Sequence, residues 1–150
     1  MRINLVIIVK LVIMYYIKLI MKNTILKLLE YVYYFSLVIL FILYLYPGSL
    51  IGYFLYGNLG QQPNLIPNPI GTSINHFIFF SYITILALIV RSKAINIFTD
   101  YKIILLISFI LEIFHFIIPN RAFEFYDLTA NVLGVLTIIL LERLRKWLNY

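Results

Sequence analysis

Between two long apolar runs, one short stretch, HFIIPNRAFEFYDLTAN from His115 to Asn131, gathers side chains able to move protons or hold charge in this 150-residue chain. Glu112 lies three residues before it and His76 far upstream. Glu112 and Asp127 have the chemistry of general acids or bases, and His115 or His76 could pass a proton. Arg121 could hold an anion, while Glu124 and Asn131 add a further carboxylate and an amide. Two His and several carboxylates are also conceivable metal ligands. However, Glu112-x-x-His115 supplies only one His and misses the H-E-x-x-H zinc spacing, so no metal is expected. There is no Ser-His-Asp arrangement, phosphate-cradling Gly loop or nucleotide fingerprint, and no cofactor is expected.

The spacing groups these residues. Ser108, Glu112 and His115 follow i, i+4, i+7 and make one helical stripe. Asp127, Asn131 and Gly134 repeat the stripe further on, and Gly134 would let a neighbouring helix approach closely. A short turn at Pro119-Asn120-Arg121 makes the two helices antiparallel, with Arg121 able to reach Glu112, Glu124 or Asp127. Purely structural roles compete with a site. Asp127 could cap its helix, Asn131 and Ser108 could be interhelical glue worth under about 2 kcal/mol each, and Glu112 with Arg121 could be a buried pair.

The elements around these residues are apolar. Hydrophobic residues make up 63% of the chain and charged ones 12%, about half the share in a soluble domain. The reading is an all-α integral membrane protein: a four-transmembrane-helix bundle with an N-terminal amphipathic or additional apolar helix. Expected spans run about 33–54, 74–90, 102–118 and 125–141, near the 17–25 residues that cross a bilayer core. The basic residues flank these runs, which explains the net charge of +6 better than nucleic-acid binding does. With no Cys, disulfides and thiolate metal sites are excluded.

Orientation follows from Lys and Arg. Lys22 and Lys27, then Arg91, Lys93 and Lys102, then Arg143, Arg145 and Lys146 fall on one side, the cytoplasm, with both termini. The connection from Pro47 to Asn75 is uncharged and belongs outside. His76, His115, Glu112, Arg121, Glu124, Asp127 and Asn131 then share the outer membrane level. Residues 1–30 read as an amphipathic interfacial segment, because Asn4, Lys10, Lys18 and Lys22 fall within an arc of about 120°. A later start at Met21 is a second explanation. Residues 31–142 form the membrane domain and 143–150 a basic tail. The turn-rich stretch NLGQQPNLIPNPIGTS reads as a connection without a helix, either a lid or a passive link.

INHFIFF from Ile74 and LEIFHFIIPNRAFEFYDLTANVLG from Leu111 to Gly134 together resemble the VanZ-like membrane proteins. His76 and Phe77 match the family's entry to one span, Glu112 its Glu, and Pro119 with Arg121 its turn. Asp127, Asn131 and Gly134 match its final run, with Glu124 in place of an Asp. The chain departs from the pattern at Thr72-Ser73, where the family often has Asp-Lys, and at His115, where it has Gln. The resemblance covers about 70 residues, from Thr72 to Leu141. It implies a bacterial cytoplasmic-membrane protein of the cell envelope. The family's namesake is associated with resistance to the glycopeptide teicoplanin.

Two functions follow as expectations. The first is a non-enzymatic protein that binds an amphiphilic or anionic envelope ligand, such as a precursor or a glycopeptide-like molecule, among membrane lipids. The second is a membrane-embedded enzyme on a lipid-linked substrate, with Glu112, His115 and Asp127 as catalytic candidates. A transporter would need polar residues through the inner half of the bundle, where spans two and four offer only Thr84 and Thr137.

Overall fold

A computed structural model describes residues 5–63, 71, 73–91 and 99–149. These residues form five helices and no strand: α1 (Leu5–Leu45), α2 (Leu50–Tyr56), α3 (Ser73–Arg91), α4 (Tyr101–Phe114) and α5 (Phe125–Leu148). Three stretches, Leu11–Leu45, Ser73–Arg91 and Phe125–Leu148, are long and apolar enough to cross a membrane. Large apolar side chains such as Phe35, Ile42, Ile85, Leu106 and Leu140 face outward, as a lipid-facing surface requires.

The first helix differs from expectation at both ends. It continues through residue 30 without a break. No Gly or Pro interrupts the sequence before Pro47, which leaves nothing local to stop the helix. At 1.5 Å per residue its 41 residues extend about 60 Å, twice the thickness of a bilayer core. Leu11–Ile25 are exposed, whereas Tyr33, Leu37, Leu40 and Tyr44 line the core-facing stripe.

At the other end, Pro47-Gly48 ends the helix outright, so the first span stops at Leu45 rather than continuing to residue 54. Gly48 takes φ +92, and a side chain there would press against Leu59 O at 2.9 Å. Ser49 then caps α2, its Oγ accepting from Gly52 N at 2.9 Å, while its own N–H donates to Leu59 O at 2.7 Å. A Cβ at Gly52 would lie 1.6 Å from Gln61 O, so only glycine allows α2 and residues 58–61 to pack this closely. The short helix lies in what the sequence presents as the end of a span; residues 58–63 hold no helix, as expected. Residues 64–70 and 72 of that connection are outside the described part.

The helix α4 is shorter than the expected third span. Its 14 residues rise about 21 Å. Tighter turns prolong the path, with His115 N bonding Glu112 O, Phe116 N bonding Ile113 O and Ile117 N bonding Phe114 O. The chain reverses at Asn120, whose φ of 56 is one that Asn tolerates. The most extensive helix contact among the described residues is that of α3 with α5. Gly134 allows it, because a Cβ there would sit 2.6 Å from Phe77 O on α3. The approach expected of Gly134 is thus realised against α3.

Candidate functional site

Where α4 and α5 join, polar side chains from four helices meet out of contact with solvent. Ser108, Glu112, His115, Asp127 and Asn131 are all buried. The two stripes drawn from spacing therefore do face inward and toward each other. His76 reaches the same cluster from α3, in agreement with the sequence reading.

Glu112, wholly buried, is the organising acceptor. Its Oε1 lies 3.2 Å from His115 Nδ1 and accepts the Glu124 N–H at 3.3 Å. Its Oε2 accepts from Asn131 Nδ2 at 3.3 Å. The Glu112 carboxylate thus satisfies the first backbone donor of α5, for which Glu124 supplies no side-chain cap of its own. Asp127 sits in the first turn of α5, where a negative charge suits the helix dipole. Its carboxylate is not a cap: Oδ1 accepts from Ser73 Oγ at 2.6 Å and Oδ2 faces His76 Nε2 at 3.4 Å.

Tyr44 stands at the centre and was not among the residues the sequence singled out. Its hydroxyl donates to Asn131 Oδ1 at 2.8 Å and lies 2.7 Å from His76 Nδ1. Asn131 Oδ1 also lies 3.2 Å from His76 Nδ1, so the phenol, imidazole and amide meet at one point. The Tyr44 ring also stacks on His115, with centroids 5.5 Å apart and planes 18° apart. Ser73, a second addition, ties the start of α3 to Asp127.

Arg121 does not pair with Glu112 as the sequence suggested. Its Nε donates to Tyr46 O at 3.3 Å and its Nη2 to Leu43 O, both at the C-terminus of α1. These carbonyls have no partner within the helix, so a guanidinium satisfies them and complements the negative end of the dipole. Burial pulls the Arg121 guanidinium below its ordinary range, against the opposing influence of Tyr44, Glu112 and Asp127. Partial burial, then the charges of Asp127 and Glu112, pushes the Glu124 carboxyl upward.

Beside the cluster lies a partly open cavity of about 120 Å³. His76, His115, Tyr44 and Arg121 form its polar side, and Leu43, Leu50, Ile51 and Phe79 contribute apolar wall. The connection after α1 covers it through Ser49, Gln62 and Pro63, while Asn75 Nδ2 holds Pro63 O at 2.7 Å. Of the two alternatives for that connection, its described part is therefore a cover. His115 Nε2 is buried and has no hydrogen-bond partner among the described residues. No group of three or more His, Cys, Asp or Glu among them could hold a metal ion. Carboxylate, imidazole and phenol are close enough to relay protons, and the cavity gives them access to a small polar group.

The fold and site define an all-helical protein with three membrane-crossing candidates around a buried polar network. Comparison with family models, with curated proteins and with solved structures found no match.

Proposed function

We propose that this chain is a VanZ-like integral membrane protein of the bacterial envelope that binds the polar end of an amphiphile at the outer leaflet. In this reading α1, α3, the helical path from Tyr101 to Ile118, and α5 are four spans, with both termini in the cytoplasm. The distribution of Lys and Arg supports that orientation. The N-terminal turns of α1, with Lys18, Lys22 and Lys27, then lie at the inner surface. The family reading rests on the matching residues His76, Glu112, Arg121, Asp127, Asn131 and Gly134.

The observation that carries the binding reading is the cavity, polar where it meets the network and apolar where it meets α1, α2 and α3. Leu50→Trp fills the apolar side without touching the network. Mass spectrometry of the purified protein should find an amphiphile on the wild type and several-fold less on the variant. Equal retention would remove the cavity as the binding place. The teicoplanin link is tested by expressing wild type, Glu112→Gln and Asp127→Asn at matched levels in a glycopeptide-sensitive host. Unchanged susceptibility with the wild-type protein would remove it.

One observation favours a membrane enzyme instead. The Glu112 carboxylate orients His115 through Nδ1 and leaves Nε2 open, the geometry of a general base held by an acid. A new product from a membrane lipid extract with wild type, absent with His115→Gln of equal stability, would favour this reading.

A further inference from the structure

We infer that the headgroup the cavity takes is a glycerol-type phosphodiester, offering an anionic oxygen to Arg121 and a hydroxyl to His115. This rests on the amphiphile-binding reading and narrows it to a chemistry.

The hydroxyl follows from the state of His115. A carboxylate accepts only, so the 3.2 Å contact with Glu112 Oε1 puts the imidazole proton on Nδ1. The other oxygen of Glu112 is taken by Asn131, which leaves that carboxylate fixed as an acceptor. The bare Nε2 is then a buried acceptor without a donor. Such a group is costly to leave unpaired, and His115 is part of the cavity wall. A ligand entering the cavity is therefore favoured if it brings a donor.

The anionic oxygen follows from Arg121. A guanidinium has five N–H groups, and two of its nitrogens reach α1 carbonyls through one contact each. The remaining donors belong to a side chain that also lines the cavity. No Asp or Glu is part of that lining. An ammonium donor would thus share the space with Arg121 and meet no carboxylate on the wall, which favours a hydroxyl. Size agrees as well. A single water needs a cavity of only about 10–15 Å³, so one of about 120 Å³ accepts a headgroup of several heavy atoms. The apolar wall of Leu43, Leu50 and Phe79 suits the first carbons of an acyl chain.

The test uses the full chain in detergent with short-chain phosphatidylglycerol, short-chain phosphatidylethanolamine or free glycerol 3-phosphate, read by native mass spectrometry. Both lipids carry a phosphodiester, and they differ in hydroxyl against ammonium. The wild type should prefer phosphatidylglycerol by about tenfold, because its hydroxyl satisfies Nε2 without setting a second cation beside Arg121. His115→Phe, which keeps a ring against Tyr44, should lose most of its phosphatidylglycerol binding and so narrow the preference. Displacement of phosphatidylglycerol by free glycerol 3-phosphate would support the headgroup and assign it a soluble source; failure to displace would support a lipid source. Equal binding of the two lipids by the wild type overturns the headgroup but leaves the amphiphile reading standing. Binding of neither lipid by a chain with intact helical circular dichroism overturns both. A folded His115→Phe that keeps the full preference overturns the role of His115.

Discussion

Tyr44 shows how much of the site depends on single atoms. Its hydroxyl joins His76 on α3 to Asn131 on α5, and its ring supports His115 on the α4 side. Tyr44→Phe keeps the ring but removes the hydroxyl that bonds both Asn131 Oδ1 and His76 Nδ1. It should lower stability by about 1–3 kcal/mol, measured as a thermal shift in detergent, while Tyr56→Phe on the exposed face of α2 changes little. Glu124 provides a pH test. Its folded carboxyl is raised above the ordinary value of 4.5, so the folded state holds that proton to higher pH than the unfolded chain. Its contribution to stability therefore worsens as pH rises from that ordinary value through the raised one. Glu124→Gln should raise the melting temperature near neutral pH, with the gain fading below about pH 4. The carboxylates and His115 were legible in the sequence because polar residues at i, i+4, i+7 are conspicuous in an apolar helix. Tyr44 was not, because it is one of 13 tyrosines and its hydroxyl partners lie 32 and 87 residues away.

At the scale of the elements, two contacts hold the helices at the site. Gly134 brings α5 against the α3 backbone, and Gly134→Ala should cost about 1–3 kcal/mol by forcing the pair apart. The control is Gly60, where a Cβ would meet nothing closer than 3.4 Å. Arg121 secures the end of α1 from the turn between α4 and α5. Arg121→Gln should speed amide hydrogen exchange at Leu45 and Tyr46, with exchange in the middle of α3 unchanged. The Gly134 stripe could be read from spacing, since only a small residue admits a close backbone. The partners of Arg121 could not, because a long side chain reaches many acceptors and helix-end carbonyls carry no sequence mark. The end of α1 was only half legible. Pro47-Gly48 announced a kink or a stop, and the stop follows from Gly48 in the left-handed region and the packing of Leu59 against it. The uninterrupted run to residue 5 was hidden by the lysines, which point to a change of environment without breaking the backbone.

For the whole molecule, the composition already pointed to a membrane protein, and an apolar exterior around a core that also holds a polar network is its structural expression. Three helices meet the length and hydropathy of a membrane crossing, and α4 is shorter, followed by tight turns after Phe114. The proposed site requires the cavity and its cover to face the side opposite the basic tail. The absence of Cys makes that directly measurable, because any single introduced thiol is the only one. Tyr56→Cys on α2 and Asn149→Cys beside the basic tail both occupy exposed positions. In intact cells a membrane-impermeant maleimide should label Tyr56→Cys and leave Asn149→Cys unlabelled until the membrane is permeabilised. Labelling of Asn149→Cys alone, or of both sites in intact cells, would contradict the proposed orientation and with it an outward-facing site.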